Sequence, residues 1–294
     1  MPITNNIWQG DEGSDPTVVG NWSQGTVPAT DEYIHVPANN AVAISGGDMS
    51  SSVDIGHLNV ETGFTPNIGS YVDDGSGYLK FSLNGATDKK AWLGGTGVCY
   101  LDLSNAAEIY VAAAGSAPAV GKQALNLVGS SNTLLRVACG AGQSVGLAAL
   151  AGETAAFATI DVHSGKTFIG PGVTASALNI LGGAVECRPN IATVDLFGGT
   201  LTAFGQLTTV DVANATLVYA STDTITALTL RSGARLDLSQ HQGALTVTTL
   251  ITYDGYEIND PFQRLHLAVH AWHYGSKLSL NIGSGFRYDY RGIT

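Results

Sequence analysis

Between residues 160 and 252 the chain repeats a triplet in which an apolar, a polar and an apolar residue follow one another. The starts of the triplets lie 18, 16, 16, 18 and 17 residues apart, at Ile160, Leu178, Val194, Val210, Leu228 and Leu245. Most triplets lead into a turn that contains Gly or Asn, and a second short apolar stretch follows. Alternation of this kind is typical of strands, and its short period predicts stacked coils.

Side chains alternate between the two faces of a strand, so the outer residues of each triplet share one face. We expect this face to be buried, with side chains stacked about 4.8 Å apart from coil to coil. One column would contain Ile160, Leu178, Val194, Val210, Leu228 and Leu245, and the other Val162, Ile180, Leu196, Val212, Leu230 and Val247. The pairs Gly182-Gly183 and Gly198-Gly199 would form corners, because glycine adopts positive φ without penalty.

Two folds are compatible with pairs of short strands that flank a Gly-Gly turn. One is an all-β solenoid, or β-helix, and the other is an antiparallel β-sandwich or jelly roll built from hairpins. Hairpin proteins vary their loop lengths, whereas each turn of a coil must return to the same place, so the near-constant period favours the solenoid. The 37 glycines and the low share of charged residues, 13%, also fit an all-β chain with many tight turns.

The pattern divides the chain into three regions. Residues 1–50 form a small β segment and candidate anchor, with strands expected at 33–36 and 41–44. Residues 51–258 form the solenoid, irregular over 51–150 and regular over 151–258. The irregular part repeats the triplet at uneven spacing, which indicates insertions, and there we expect any specific contact. Its triplets are Val53 to Ile55, Leu79 to Phe81, Tyr100 to Leu103 and Leu125 to Leu127.

The third region, residues 259–294, is expected to contain a helix and strands. Asp260-Pro261-Phe262-Gln263 has the order of a helix start, and Gly275 stands where a glycine would end that helix. Such a helix would cover the last coil, whose unpaired backbone would otherwise be open to other chains. Terminal strands are expected at 277–282 and 286–290.

Two stretches resemble known β-helical proteins. Trp8, the run Asn21-Trp22-Ser23-Gln24-Gly25-Thr26-Val27-Pro28, Asp31 and residues 34–37 resemble the opening of many β-helical surface proteins. Residues 228–238 are similar to rungs of autotransporter passengers and of phage tailspike and decoration proteins. The resemblance implies a β-helix, and it is compatible with adhesins, lyases and virion proteins alike.

The ends and the charge of the chain narrow these classes. Residues 1–8 lack the features of a secretory signal, and no run of about 18 apolar residues occurs. Autotransporters need a signal and a membrane barrel, whereas virion proteins are made in the host cytoplasm. The net charge of -11 argues against nucleic acid and anionic membranes as partners. Cys99, Cys139 and Cys187 are expected to be buried free thiols.

Three histidines are the candidate metal ligands. On the predicted helix, His266, His270 and His273 would lie on one stripe, and three imidazoles suit a zinc site with an open position. No carboxylate near them in sequence would orient the rings. We therefore expect packing or interface roles, with zinc as the alternative, and no other metal or cofactor.

The middle residues of the triplets form a second candidate. Asp161, Asn179, Asp195, Asp211 and Thr229 would stack outward, one per coil. Neighbouring carboxylates suit glycosidic cleavage or calcium binding. An outward strand position, however, simply requires a polar residue, and the same phrases contain no aromatic platform for a sugar. We expect a solvated ladder.

The expected function is a non-enzymatic structural protein of a bacteriophage virion. It would decorate or cement the capsid as a homotrimer, with the major capsid protein as its partner. One alternative is a tailspike, which binds a receptor or depolymerises polysaccharide. A second alternative is an adhesin that binds cell-surface glycan without cleaving it.

Overall fold

The computed structural model describes residues 5–48, 55–71, 77–85, 88–117, 122–272 and 279–282. These residues form a β-solenoid in which every pairing between strands is parallel and joins neighbouring coils. The predicted β-solenoid is confirmed, and the antiparallel sandwich is wrong. Within the described ranges there is no α-helix, and one turn of 3-10 helix spans Val19–Asn21.

The strands form two parallel sheets along the solenoid. Sheet 1 contains β1 (Asn5–Ile7), β2 (Tyr33–Val36), β4 (His57–Val60), β6 (Lys90–Leu93), β8 (Glu108–Val111), β9 (Leu125–Ala138), β11 (Ala155–Ser164), β13 (Val173–Ile180), β15 (Ile191–Leu196), β17 (Leu207–Val212), β19 (Ile225–Leu230), β21 (Leu245–Thr252) and β23 (Leu265–Trp272). Sheet 2 contains β3 (Gly47–Asp48), β5 (Leu79–Ser82), β7 (Cys99–Ser104), β10 (Ser144–Leu147), β12 (Lys166–Ile169), β14 (Ala184–Cys187), β16 (Thr200–Ala203), β18 (Thr216–Tyr219), β20 (Arg235–Asp237), β22 (Glu257–Asp260) and β24 (Ser279–Ile282). Strand β9 pairs in both sheets, so it joins them.

The predicted inward columns occur in sheet 1 as far as Leu228. Ile160 pairs with Leu178, and the pairing continues in register to Leu228. The last step differs, because Leu228 pairs with Leu250 and not with Leu245. Strand β21 begins with the triplet Leu245-Thr246-Val247, but the segment that pairs in register with the triplet of β19 is Leu250-Ile251-Thr252.

The first half of the solenoid contains the same two sheets. Three of its four predicted triplets lie in sheet 2, where Leu79 pairs with Leu101 and Leu101 pairs with Leu127, and the fourth begins at Val53, outside the described residues. Long segments between the sheets explain the uneven spacing. The predicted strand at 33–36 is confirmed, whereas residues 41–44 contribute only a bridge from Ile44 to Ile68. The division of the chain at residues 50 and 258 stays a prediction.

The N-terminal end of the core is closed by two tryptophans. Trp8 and Trp22 are 0% and 2% exposed, and their rings meet edge to face with centroids 5.1 Å apart. The Trp8 Nε1 donates to the carbonyl of Val42 at 3.2 Å, and the Trp22 Nε1 donates to that of Pro16 at 2.8 Å. The segment that resembles other β-helical proteins therefore acts here as a cap on the apolar core.

The predicted capping helix at the C-terminal end is wrong, because strand β23 occupies residues 265–272 and pairs with β21. The Asp260 carboxylate does accept backbone N–H bonds, from Arg264 at 3.0 Å and Leu265 at 2.9 Å. These bonds stabilise a turn, which contains Gln263 at φ 57°. Asp260, which in sequence resembles a helix N-cap, therefore stabilises the turn that leads into the next coil. The predicted strand at 277–282 is confirmed over Ser279–Ile282, and the one at 286–290 lies outside the described residues.

We expect Gly199→Ala to lower the free energy of unfolding by about 2–3 kcal/mol. Gly199 has φ 73° at the corner between β15 and β16, and a Cβ there would lie 2.2 Å from the carbonyl oxygen of Gly183. Gly142→Ala is the matched control, because Gly142 also has positive φ, 92°, but no atom within 4 Å of the added Cβ. Urea denaturation should show a clearly smaller loss for the control. Equal losses would contradict close packing between successive corners.

Candidate functional site

The outward ladder predicted from the triplets exists on sheet 1. Asp161, Asn179, Asp195, Asp211 and Thr229 follow one another in register on β11, β13, β15, β17 and β19. We call these five residues the polar ladder. Its members project one per coil, about 4.8 Å apart along the solenoid.

Two of the three carboxylates in the polar ladder are engaged by other side chains. Asp161 accepts a 2.8 Å hydrogen bond from Asn179 Nδ2 and lies 3.6 Å from Arg136 Nε. Both oxygens of Asp211 are bound by Arg231, whose Nε and Nη2 each donate at 2.7 Å. The hydrogen bond to Asp211 is the main reason why the pKa of Arg231 is raised. This arrangement balances charge and holds Asp211 in one position.

The column of the polar ladder continues toward the N-terminus with residues of a different kind. Arg136, Tyr110 and Trp92 occupy the equivalent positions on β9, β8 and β6. The Trp92 and Tyr110 rings stack with centroids 4.3 Å apart, and Trp92 is 41% exposed. Sequence reasoning missed this aromatic pair because it sought aromatics within the regular phrases. The alternation in residues 90–93 and 108–111 was the signal that would have located it.

A concave surface lies on sheet 2, in the irregular half of the solenoid, where the sequence predicts specific contacts. It encloses about 740 Å³ and is lined by outward residues of β5, β7 and β9, by residues 150–154 between β10 and β11, and by Tyr71. We call this feature the groove. Lys80, Asp102 and Val128 line it in register on three strands of sheet 2. Its volume falls in the range of ordinary ligand sites.

A buried hydrogen-bond network attaches residues 149–153 to the sheet. The Tyr78 hydroxyl donates to Glu153 Oε1, and Asn126 Nδ2 donates to the Tyr78 hydroxyl at 2.6 Å and to Glu153 Oε2 at 2.9 Å. The backbone N–H groups of Ala149 and Leu150 donate to Asn126 and Glu153, at 3.2 and 2.9 Å. Burial, reinforced by the bond to Glu153, raises the pKa of Tyr78 well above its usual value. One side of the groove is therefore held rigidly.

Three tyrosines, Tyr71, Tyr78 and Tyr100, lie in or next to the lining of the groove. Tyr100 is buried and lies edge-on to Tyr78, with centroids 5.3 Å apart. Tyr71 lies 6.3 Å from Tyr100 and remains 39% exposed. The ammonium of Lys122 lies 4.3 Å from the centre of the Tyr71 ring. The sequence did not predict that these residues lie together, because they come from four separate segments of the chain.

The three candidate histidines do not share a helix. His266 and His270 lie on strand β23, opposite Thr246 and Leu250, and His273 lies outside the described residues. The His266 side chain is exposed. Across the part of the chain that the structure describes, no three His, Cys, Asp or Glu side chains are grouped to hold a metal ion. The zinc alternative depended on a helix that places the three histidines on one face, and residues 265–272 form a strand instead.

The three cysteines are buried free thiols in the structure. Burial raises the pKa of Cys99 and of Cys187 to about 12, and it also raises the pKa of Cys139. Because the thiolate is the reactive form, these side chains are poor nucleophiles near neutral pH.

Comparisons with known proteins give no further assignment. No protein-family model, no curated protein and no solved structure matches the chain. Among the described residues, no helix has the length and apolar character needed to cross a membrane.

Proposed function

We propose that the chain is a non-enzymatic structural protein of a bacteriophage virion, where it decorates or cements the capsid as a homotrimer. The observation that carries this proposal is the continuous apolar core that extends from Trp8 to Ile258. Such a core makes a stiff rod, because each coil packs on the next through the same columns. The resemblance of residues 228–238 to rungs of phage tailspike and decoration proteins is compatible with a virion role.

The side chains on sheet 1 favour a scaffold over a depolymerase. A glycosidase needs two carboxyl groups that can act as acid and base or nucleophile. Asp195 and Asp211 are neighbours in register, yet both oxygens of Asp211 are bound by Arg231. Asp161 is likewise held, by Asn179 and Arg136. These contacts support charge balance on a solvated face.

Two exposed apolar residues favour self-association. Leu181 and Phe197 follow β13 and β15 at the same corner, and they are 52% and 43% exposed. They lie on successive coils, since the Phe197 N–H donates to the carbonyl of Ile180 at 2.7 Å. Adjacent exposed apolar side chains suit a protein interface. We propose that copies of the chain meet here around a symmetry axis.

The proposed mechanism is mass action. A trimer that binds neighbouring capsid subunits only in their assembled state raises the free energy needed to separate them. It requires no chemical step and no cofactor.

We expect purified particles of the virus to contain the protein in a copy number close to the number of capsid sites. Quantitative mass spectrometry would measure the ratio to the major capsid protein. Tailspikes occur in tens of copies, so a low ratio would overturn the capsid role.

A variant pair makes this experiment specific for the proposed interface. Leu181→Asp combined with Phe197→Asp should yield monomers by light scattering and should be lost from particles. Phe262→Asp is the matched control, because Phe262 is also exposed, at 59%, but lies in the turn between β22 and β23. A double variant that trimerises and is incorporated normally would contradict the interface.

A further inference from the structure

We infer that the groove is a binding site for carbohydrate, and specifically for a short stretch of a polysaccharide chain. The inference is independent of the capsid role, because it depends on residues of sheet 2 and not on the corner with Leu181 and Phe197. It assigns a ligand class to the irregular half of the solenoid.

The polar lining of the groove suits a ligand with many hydroxyl groups. Lys80 supplies donors and the Asp102 carboxylate supplies acceptors, on adjacent strands in register. Ser130 and Thr154 add hydroxyl groups, which both donate and accept. A cationic donor and a carboxylate acceptor therefore lie on successive coils, roughly 4.8 Å apart along the solenoid. Sugar rings present hydroxyl groups around their edges and can use both kinds of partner.

The aromatic component of the groove suits the other surface of a sugar. The C–H groups on one face of a pyranose pack on an aromatic ring, which carries a negative face. Tyr71 and Tyr78 both line the groove; Tyr71 is 39% exposed, whereas Tyr78 is buried and packs against the buried Tyr100. Lys122 covers one face of the Tyr71 ring, and removing Tyr71 should take away the exposed part of this aromatic surface without opening the core.

The groove is also preorganised and accessible. Glu153 accepts hydrogen bonds from Tyr78, Asn126 and the backbone of Leu150, so residues 150–153 lose little freedom when a ligand binds. Exposed residues at the lining, which include Ala151 and Gly152, leave the groove open to solvent.

Other ligand classes fit these residues less well. A phosphate-rich ligand needs an excess of positive charge, whereas the lining of the groove combines one lysine, Lys80, with two acidic residues, Asp102 and Glu153. A lipid needs a mainly apolar lining. An extended peptide adds to an open sheet edge, and the groove lies on the face of a continuous sheet.

The test uses the full-length chain on an array of bacterial and plant oligosaccharides, followed by calorimetry with the best soluble probe from the array. We expect binding by the wild type, with a loss of about tenfold or more in affinity for Tyr71→Ala. Ala151→Trp should also lose binding, because Ala151 is an exposed lining residue outside the strands and a bulky side chain there would occupy part of the groove. Trp92→Ala, which removes an exposed aromatic from sheet 1, is the matched control and should bind normally.

Thermal unfolding at the wild-type temperature would show that each variant is folded. The inference is overturned by an absence of binding across the array. It is also overturned if Tyr71→Ala and Ala151→Trp keep full affinity, or if Trp92→Ala alone loses it. A chain that binds sugar but is absent from virions would overturn the capsid role and leave the groove assignment intact.

Discussion

Replacing Trp22 with alanine is expected to lower the free energy of unfolding by about 3–5 kcal/mol. The substitution removes a ring that is 2% exposed and leaves Trp8 without its edge-to-face partner. It also leaves the carbonyl of Pro16 without the indole N–H that donates to it at 2.8 Å. Urea denaturation monitored by circular dichroism would measure the loss.

The region that loses stability first in the Trp22→Ala protein is as informative as the total loss of stability. In a solenoid each coil contacts only its neighbours, so loss of the cap should open the coils nearest to it first. Amide exchange should therefore accelerate in β1 and β2 before it accelerates in β15 and β17. Trp92→Ala removes the same type of side chain from an exposed position and should cost far less. A Trp22→Ala protein with unchanged exchange in β1 and β2 would refute the assignment of a cap.

The regular half of the solenoid was predictable because its physics is local and repeated. Val194, Val210 and Leu228 each occupy the first position of a triplet, and their pairing follows from a period that scarcely changes. The next step failed at Leu245, although its triplet fits as well as the others. Register there is decided by pairing between β19 and β21, and sequence spacing alone does not contain that information.

The C-terminal segment shows how one local signal can serve two structures. Asp260 binds backbone N–H groups of the following residues, as a helix cap does, but Gln263 adopts positive φ and turns the chain. Residues 265–272 also alternate with a period of two, and pairing with β21 satisfies their backbone. A strand that extends an existing sheet is favoured over an isolated helix, whose formation carries a nucleation cost.

The groove was not predictable beyond its general location. Tyr71, Asp102 and Glu153 are far apart in sequence, and only the stacking of β5, β7 and β9 brings their segments together. The irregular spacing of the first half showed where insertions occur. It did not show which inserted side chains would share a surface, because that depends on tertiary packing.

The second large effect is expected at alkaline pH. Burial raises the pKa of Cys99 and Cys187 from 9.0 to about 12, so both thiols stay protonated in the folded chain while they ionise in the unfolded chain. Their contribution to stability is complete below about pH 9 and is lost as the pH rises toward 12. Each thiol should lower the free energy of unfolding by up to about 1.4 kcal/mol per pH unit in that interval.

Urea denaturation at successive pH values from about 8 to 11 would measure this loss. Because Tyr78 and Tyr100 also have raised pKa values, the comparison is made chiefly between about pH 9 and 10, where thiols dominate. The double variant Cys99→Ala and Cys187→Ala is expected to be less stable at neutral pH, because it truncates two buried side chains, yet its stability should fall less steeply with pH. An identical slope in the variant and the wild type would contradict the assignment, since the alkaline loss would then arise from groups other than these two buried thiols.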